Sequence, residues 1–223
     1  MVAQTIAERV ERLRSLIDAA CQRSGRAPEA VTLVGVTKGI PPDAIHQAMA
    51  AGITHLGENR VQEAEAKRPA LASIDTSVTW HMVGHLQTNK VKTAVRLFDI
   101  IQSVDSLHLA EAISRRATKA IPVFLEVNVA AEPNKYGFAL DELPRHHETI
   151  SRLENIDVRG LMTIAPQAHD PEGVRPVFRR LRDAAESLGL PDVSMGMSDD
   201  FEVAVEEGAT YVRIGRAIFG ERP

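Results

Sequence analysis

The feature that most constrains this chain is an alternation repeated eight times: a short apolar stretch, a polar or glycine-bearing turn, then a segment of helical period. The apolar stretches are VTLVGVT (31–37), ITHLG (53–57), TWHMVG (79–84), DIIQSV (99–104), PVFLEVNV (122–129), VRGLMTI (158–164), DVSMG (192–196) and ATYVRIG (209–215). Their length, their β-branched residues and the turn residues that bound them read as strands. Between them lie segments such as PDAIHQAMAAG, VQEAEAKRPALA, SLHLAEAISRRATKA and PVFRRLRDAAESLG. These carry apolar residues at three- and four-residue spacing with charges opposite, and several stop at glycine. A charged amphipathic helix over about Thr5 to Ser24 precedes the first strand. Strand–helix alternation calls for a parallel sheet, and eight such units predict a single (β/α)8 TIM barrel with an extra N-terminal helix. The competing fold, an open doubly wound sheet, would show G-x-G-x-x-G after an early strand, and none follows the first strand here.

Composition narrows the function classes. With 223 residues and 44% hydrophobic content the chain can bury one sizeable core, and no linker or low-complexity stretch divides it, so 1–223 reads as one domain. A net charge of -4 with scattered basic residues argues against a nucleic-acid partner. No apolar run is long enough to span a bilayer, and the first residues lack a signal-peptide apolar segment, so a cytoplasmic protein without a membrane partner is expected. Cys21, the single cysteine, excludes an internal disulfide and reads as a small packed hydrophobe. His81 and His85 are four apart but sit in and after a strand, without the H-E-x-x-H pattern, so no metal is expected. No long heptad repeat demands a dimer, and a monomer is expected.

Function in such a barrel is sought at the C-terminal ends of the strands. Lys38 follows strand one, Gly57-Glu58-Asn59 closes strand two, and His81 and His85 lie in and after strand three. Glu126 and Asn128 share one face of strand five, and Thr163 closes strand six. Met195 to Ser198 close strand seven, and Arg213, Gly215 and Arg216 close strand eight. Ser198 reads as a helix N-cap, and Gly215 as a close-approach position before a short helix. Unpaired N–H groups there would favour an anion, in the loops where barrels of this kind often hold phosphate. Each feature has an ordinary reading: surface lysine, plain N-cap, tight turn, strand arginine paired with a carboxylate. Together, an imine-forming lysine, a phosphate cradle and an arginine able to donate to a ring nitrogen point to pyridoxal 5'-phosphate (PLP).

Over nearly its whole length the chain also resembles the pyridoxal phosphate homeostasis proteins (the YggS/PROSC type), which share the fold of the alanine racemase N-terminal domain. The segments that carry the resemblance are LVGVTKG, GENRVQEAEAK, WHMVGHLQTNK, GLMTIAP, SMGMSDDFEVAVEEGATYVRIGRAIFG and, more loosely, VNVAAEPNKYGF. The resemblance implies that Lys38 holds PLP as a Schiff base, that Ser198 with the backbone of Gly215 and Arg216 takes the phosphate, and that Arg213 faces the pyridine nitrogen. It implies too that Asn59, His81, Met162 and Met195 line the ring. Many relatives follow the lysine with Thr-Lys-Pro, whereas Gly39-Ile40-Pro41 stand here.

Arginine donates a hydrogen bond but does not give up its proton, so the ring nitrogen opposite Arg213 should stay unprotonated and the ring a poor electron sink. Racemisation needs an acid and a base on the two faces of the bound imine. With the chain ending at Pro223, only Tyr136 and Tyr211 are at hand: Tyr136 in a lid-like loop, Tyr211 packed in strand eight. The expectation is therefore a non-enzymatic PLP carrier in vitamin B6 homeostasis, buffering the cofactor or delivering it to apo PLP-dependent enzymes. A racemase-like enzyme, a lysine aldolase acting on sugar phosphates and a non-covalent binding module are the alternatives.

Overall fold

The computed structural model describes residues 4–71 and 78–221. Eight parallel strands close into a barrel in chain order, β1 through β8. They are β1 (Thr32–Val36), β2 (His55–Glu58), β3 (Thr79–Met82), β4 (Ile100–Val104), β5 (Ile121–Glu126), β6 (Ile156–Met162), β7 (Asp192–Ser194) and β8 (Tyr211–Ile214). All eight expected strands form, several shortened where the last residues leave the sheet as rim loops. The helices are α1 (Ile6–Arg23), α2 (Pro42–Ala50), α3 (Val61–Lys67), α4 (Val91–Leu97), α5 (Leu107–Arg116), α6 (Leu143–Ile150), α7 (Arg175–Ser187), α8 (Phe201–Glu206) and α9 (Arg216–Phe219). The segment after β2 leaves the α-helix for a tighter turn over Arg68–Leu71, and its expected end at Ala72 lies outside the described residues.

Local sequence accounts for the ends of α1. Thr5 Oγ1 accepts from the Glu8 N–H at 3.2 Å, and the Thr5 N–H donates to Glu8 Oε2 at 2.8 Å, a reciprocal capping box. Its stripe Val10, Leu13, Ile17, Ala20 and Cys21 is buried, and α1 lies against α2, α8 and α9. Cys21 is therefore a packed core residue.

Outward-facing strand residues such as Leu56, Trp80, Ile101, Leu125, Leu161 and Val212 join the helices in the main core. Inside the barrel, Val34, Val83, Phe124 and Met162 are buried apart from that core. The rest of the lumen is polar. Arg213 donates to Ser194 Oγ at 2.7 Å, and Ser194 Oγ donates to Gln102 Oε1 at 2.7 Å. Gln102 Nε2 lies 2.9 Å from His81 Nδ1, and His81 Nε2 lies 2.9 Å from His55 Nδ1. An amide nitrogen only donates, so His81 accepts at Nδ1 and carries its proton on Nε2, which it donates to His55. Every group in the file then gives one hydrogen bond to the next, from Arg213 down to His55, with both imidazoles neutral. Burial and the neighbouring His55 hold the His81 pKa down at about 3, and burial lowers that of His55. Near the N-terminal end of the barrel Tyr211 packs against the file, its ring centroid 5.3 Å from that of Phe124 in an edge-on contact and 5.9 Å from that of His81 in a tilted one.

A second buried group fixes the exit of β1. Glu58, fully buried at the end of β2, accepts from Thr37 Oγ1 and from Lys67 Nζ, each at 2.6 Å. Lys67 Nζ also donates to the Thr37 carbonyl at 2.6 Å. One turn away the Gly39 N–H donates to Glu63 Oε2 at 2.9 Å, with Gly39 at φ 69, where a side chain would be strained. Thr37 and Gly39, the residues flanking Lys38, are thus both held by groups of β2 and α3.

Two predictions follow from these buried groups. Removing one partner of a buried ion pair leaves an uncompensated charge, so Lys67→Met should destabilise the fold by about 3–5 kcal/mol in urea denaturation. Glu58→Leu combined with Lys67→Met should recover more than half of that loss; a single variant within 1 kcal/mol (roughly the worth of an exposed pair) contradicts the role. His81 is held neutral when folded and gains a proton on unfolding below about pH 6.5. Its contribution is therefore complete above that pH and is lost as the pH falls toward the folded value. The urea midpoint should drop between pH 7 and pH 5, and less steeply in His81→Gln; identical slopes would contradict it.

Candidate functional site

Lys38 is the first residue beyond the Thr37 clamp, half-buried and on the inward side of the β1 exit. It borders two cavities. One, of about 380 Å³, is lined by Val36, Lys38, Ile40, Gly215 and Arg216 among others. The other, of about 650 Å³, joins Lys38 to Asn59, Met82, Gly84, His85 and Lys90. The two backbones that carry Asn59 and His85 can meet there because residue 84 is glycine: a Cβ on Gly84 would sit 2.5 Å from the Asn59 carbonyl oxygen.

Across the first cavity the loops after β7 and β8 come together. Ser198 Oγ accepts from the Ala217 N–H in the first turn of α9 at 3.3 Å. Arg216 opens that helix, so its N–H has no acceptor within it, and its guanidinium pairs with Asp199. Ser198 does not cap α8, contrary to the expectation from sequence: Asp200 occupies the N-cap, and its carboxylate instead accepts from the Met197 N–H at 2.6 Å. The aspartate two residues on closes its own tight turn, which frees the serine hydroxyl to reach α9.

Arg213 stands in the mouth with 5% exposure. Besides Ser194 it donates to the Thr163 carbonyl at 2.8 Å, and both partners are neutral. Burial lowers its pKa to about 10, against the nearby Glu126 and Asp200 carboxylates, which pull it up. It remains a cation at neutral pH. Glu126 answers it from β5, its pKa raised to about 7 by burial and the Asp105 charge, against the pull of Arg213.

Lys38, Asn59, Ser198, Arg213, Gly215 and Arg216 gather at one end of the barrel, as their strand positions require. Met162, the last residue of β6, is buried within the lumen. Met195 packs in the core between strands and helices, and His81 lies deeper in the lumen, connected to Arg213 through Gln102 and Ser194. Gln102, Ser194 and His55 were not singled out from sequence, although each stands at an inward position by strand alternation. Glu58 stood among the polar residues closing β2, but its contact with Lys67, which bridges β2 and α3, was not foreseen. Asn128 turns away from the mouth to brace its own loop, bonding Glu132 through both side-chain atoms. Tyr136, 58% exposed, stacks on His85 at 3.9 Å, while Tyr211 begins β8 at the opposite end of the barrel. Among the described residues no three His, Cys, Asp or Glu side chains are placed to hold a metal ion, and no helix is long and apolar enough to cross a membrane.

Comparison with known proteins agrees with this architecture. Residues 9–223 match the family profile described as alanine racemase, N-terminal domain. A pyridoxal phosphate homeostasis protein of Aquifex aeolicus is 45% identical, covering 96% of this chain and 97% of its own length. Another, of Pseudomonas aeruginosa, is 41% identical over 98% and 96%. Among solved structures, PipY of Synechococcus elongatus with PLP bound aligns at a TM-score of 0.86 and 39% identity, covering 97% of this chain and all (100%) of that one. An alanine racemase of Clostridium difficile, 15% identical, aligns at 0.70 over 95% of this chain and 56% of its own, a likeness of fold. With a closed barrel, a family profile spanning its length and full-length relatives of this similarity, the chain belongs to the pyridoxal phosphate homeostasis protein family, built on the alanine racemase N-terminal domain fold.

Proposed function

We propose that this protein binds PLP in the barrel mouth, held as a Schiff base by Lys38, and that it stores the cofactor and hands it to apo PLP-dependent enzymes with little or no turnover of its own. The observation that carries this reading is one cavity bordered by both Lys38 and the Gly215–Arg216 turn. An amine for the aldehyde and N–H groups for the phosphate face each other there. The donor set fits the group: Ser198 and the Gly215 and Arg216 backbone take the phosphate, and Arg213 presents its guanidinium to the pyridine nitrogen. Asn59 and Met162 flank the ring. His81 and Met195 complete the set at one remove, His81 through the hydrogen-bonded file and Met195 as packing behind β7. The PLP carried by the related PipY structure supports the same assignment.

When bound, PLP supplies an electrophilic aldehyde and an aromatic ring able to withdraw electrons. The residues of this chain use the first and restrain the second. Arg213 keeps its own proton at neutral pH, so it donates to the ring nitrogen without protonating it. Its neutral partners Ser194 and Thr163 hold it from behind. A racemase, by contrast, needs a second acid–base group beside Lys38. Tyr211 lies at the far end of the barrel, and Tyr136 is exposed and stacked on His85. A single cytoplasmic domain acting as a monomer suffices for this role.

Absorption spectra test the reading. Wild-type protein mixed with PLP should show the visible band of a pyridoxal imine, and Lys38→Ala should not. No band in the wild type contradicts it, and steady conversion of an L-amino acid to its D form would favour the racemase instead. Gln102→Leu should leave Lys38 able to capture PLP but loosen Arg213 through Ser194. We expect roughly tenfold weaker PLP binding, the worth of about one hydrogen bond to a charged group, together with a displaced imine band. A band and affinity equal to wild type would remove Gln102 from the positioning of Arg213.

A further inference from the structure

The alternation that turns Arg213 inward also turns Glu126, the last residue of β5, into the mouth. Glu126 is 7% exposed, yet its carboxylate accepts no hydrogen bond among the described residues. Arg213 does not bind it directly; two of its nitrogens are committed to Ser194 and Thr163. Nor is the group sealed off: among the described residues Glu58 Oε2 is the fully buried side-chain atom left without a partner, so the Glu126 oxygens are not completely enclosed. A carboxylate so little exposed and without a protein donor leaves its acceptor sites in the mouth for the donors of a ligand.

Its surroundings say which ligand. Asp105 follows Val104, which pairs with Leu125, so it stands beside Glu126 at adjacent strand exits, where its charge acts on Glu126. One Asp105 oxygen is met by His85 Nδ1 at 2.8 Å and the other by Ser106 Oγ at 3.0 Å. His85 is in turn covered by the Tyr136 ring. In the closed barrel β4 and β5 stand opposite β8 and β1, so this acidic side faces the Lys38 and Arg216 side across the mouth. An anion would be repelled from it, and an apolar group would leave Glu126 unpaired. A primary ammonium brings the opposite charge and three donors on a slender stem.

We propose that Glu126, backed by Asp105, forms a subsite for a primary ammonium group in the barrel mouth, facing Lys38. The inference rests on the PLP reading above: a free amine is what competes with Lys38 for an aldehyde. The proton balance is simple. An N–H bond of R–NH3+ breaks, an O–H bond forms on Glu126, and the electron pair stays on nitrogen, leaving R–NH2 and a neutral carboxyl. Because burial and Asp105 raise the Glu126 pKa to about 7, its carboxylate is a better proton acceptor than an ordinary one. The amine has two possible sources of the same chemistry, a free amino acid or a lysine side chain of another protein.

The test uses full-length, cofactor-free protein with ¹³C-labelled glutamate carboxyls, the Glu126 signal being assigned by its loss in Glu126→Gln. Titration with n-butylammonium should shift that signal saturably, with at least tenfold weaker binding in Asp105→Asn, while tetramethylammonium, which has no N–H, should leave it in place. A signal that ignores n-butylammonium, or responds equally to tetramethylammonium, overturns the proposal. L-alanine binding more tightly than Nα-acetyl-lysine amide identifies a free amino acid as the source; the reverse order identifies a protein lysine. The titration needs no cofactor. An absent imine band in the wild type would therefore remove the PLP reading and, with it, only the competition with Lys38, whereas a silent Glu126 would remove the ammonium subsite alone.

Discussion

The mouth of this barrel depends on the closure of β8 onto β1, where Thr32 pairs with Tyr211 and Val34 with Arg213. That register carries two residues far apart in the chain, Lys38 and Gly215, to adjacent strand exits on one rim. Because side chains alternate, a slip of one residue would turn Arg213 out of the lumen and Val212 into it. The outward positions of both strands are packed against helices, with Leu33, Val212 and Ile214 in contact with the core. The apolar core thus specifies the register, and the register assembles the polar rim.

A buried cation is expensive, and this fold distributes the compensation. Arg213 receives hydrogen-bonding partners that are neutral and charge partners that do not touch it. The neutral partners define direction: Ser194 is held by Gln102, Gln102 by His81, His81 by His55. A hydrogen-bond file with one sense leaves little freedom at its head, which suits the contact proposed for Arg213 with one atom of a planar ligand. Glu126 and Asp200 supply charge from a distance and leave the guanidinium's remaining donors free for the mouth. Lys38 has the opposite construction. Its backbone is clamped through Thr37 and Gly39, while its side chain is left to reach between two cavities.

Much of this was legible from sequence, for physical reasons. Periodicity of two and of 3.6 marked eight strands and their helices, because both patterns record which face meets the core. The rule that barrel chemistry sits at strand C-termini then selected Lys38, Asn59, Ser198, Arg213, Gly215 and Arg216. What escaped was non-local. The Glu58–Lys67 pair links β2 to α3 and reaches back to Thr37, so the motif GENRVQEAEAK is visible as a pattern while its clamp is not. Gln102 and Ser194 meet across the lumen, 92 residues apart in sequence. Ser198 was misread as an N-cap because Asp199 and Asp200 compete for that place, and the winner is decided by the turn around Met197. Glu126 stood on the rim from the start, but only its low exposure and its lack of a donor among the described residues distinguish it from an ordinary solvated carboxylate.

The central claim, that Lys38 is the residue that captures PLP, is tested most directly by borohydride reduction of the PLP-treated protein followed by peptide mapping. Reduction makes an imine permanent, so the pyridoxyl group stays on the lysine that carried it. One modified peptide, containing Lys38, is expected, with Lys67 and Lys90 unmodified. Label on another lysine, or none at all, would contradict it.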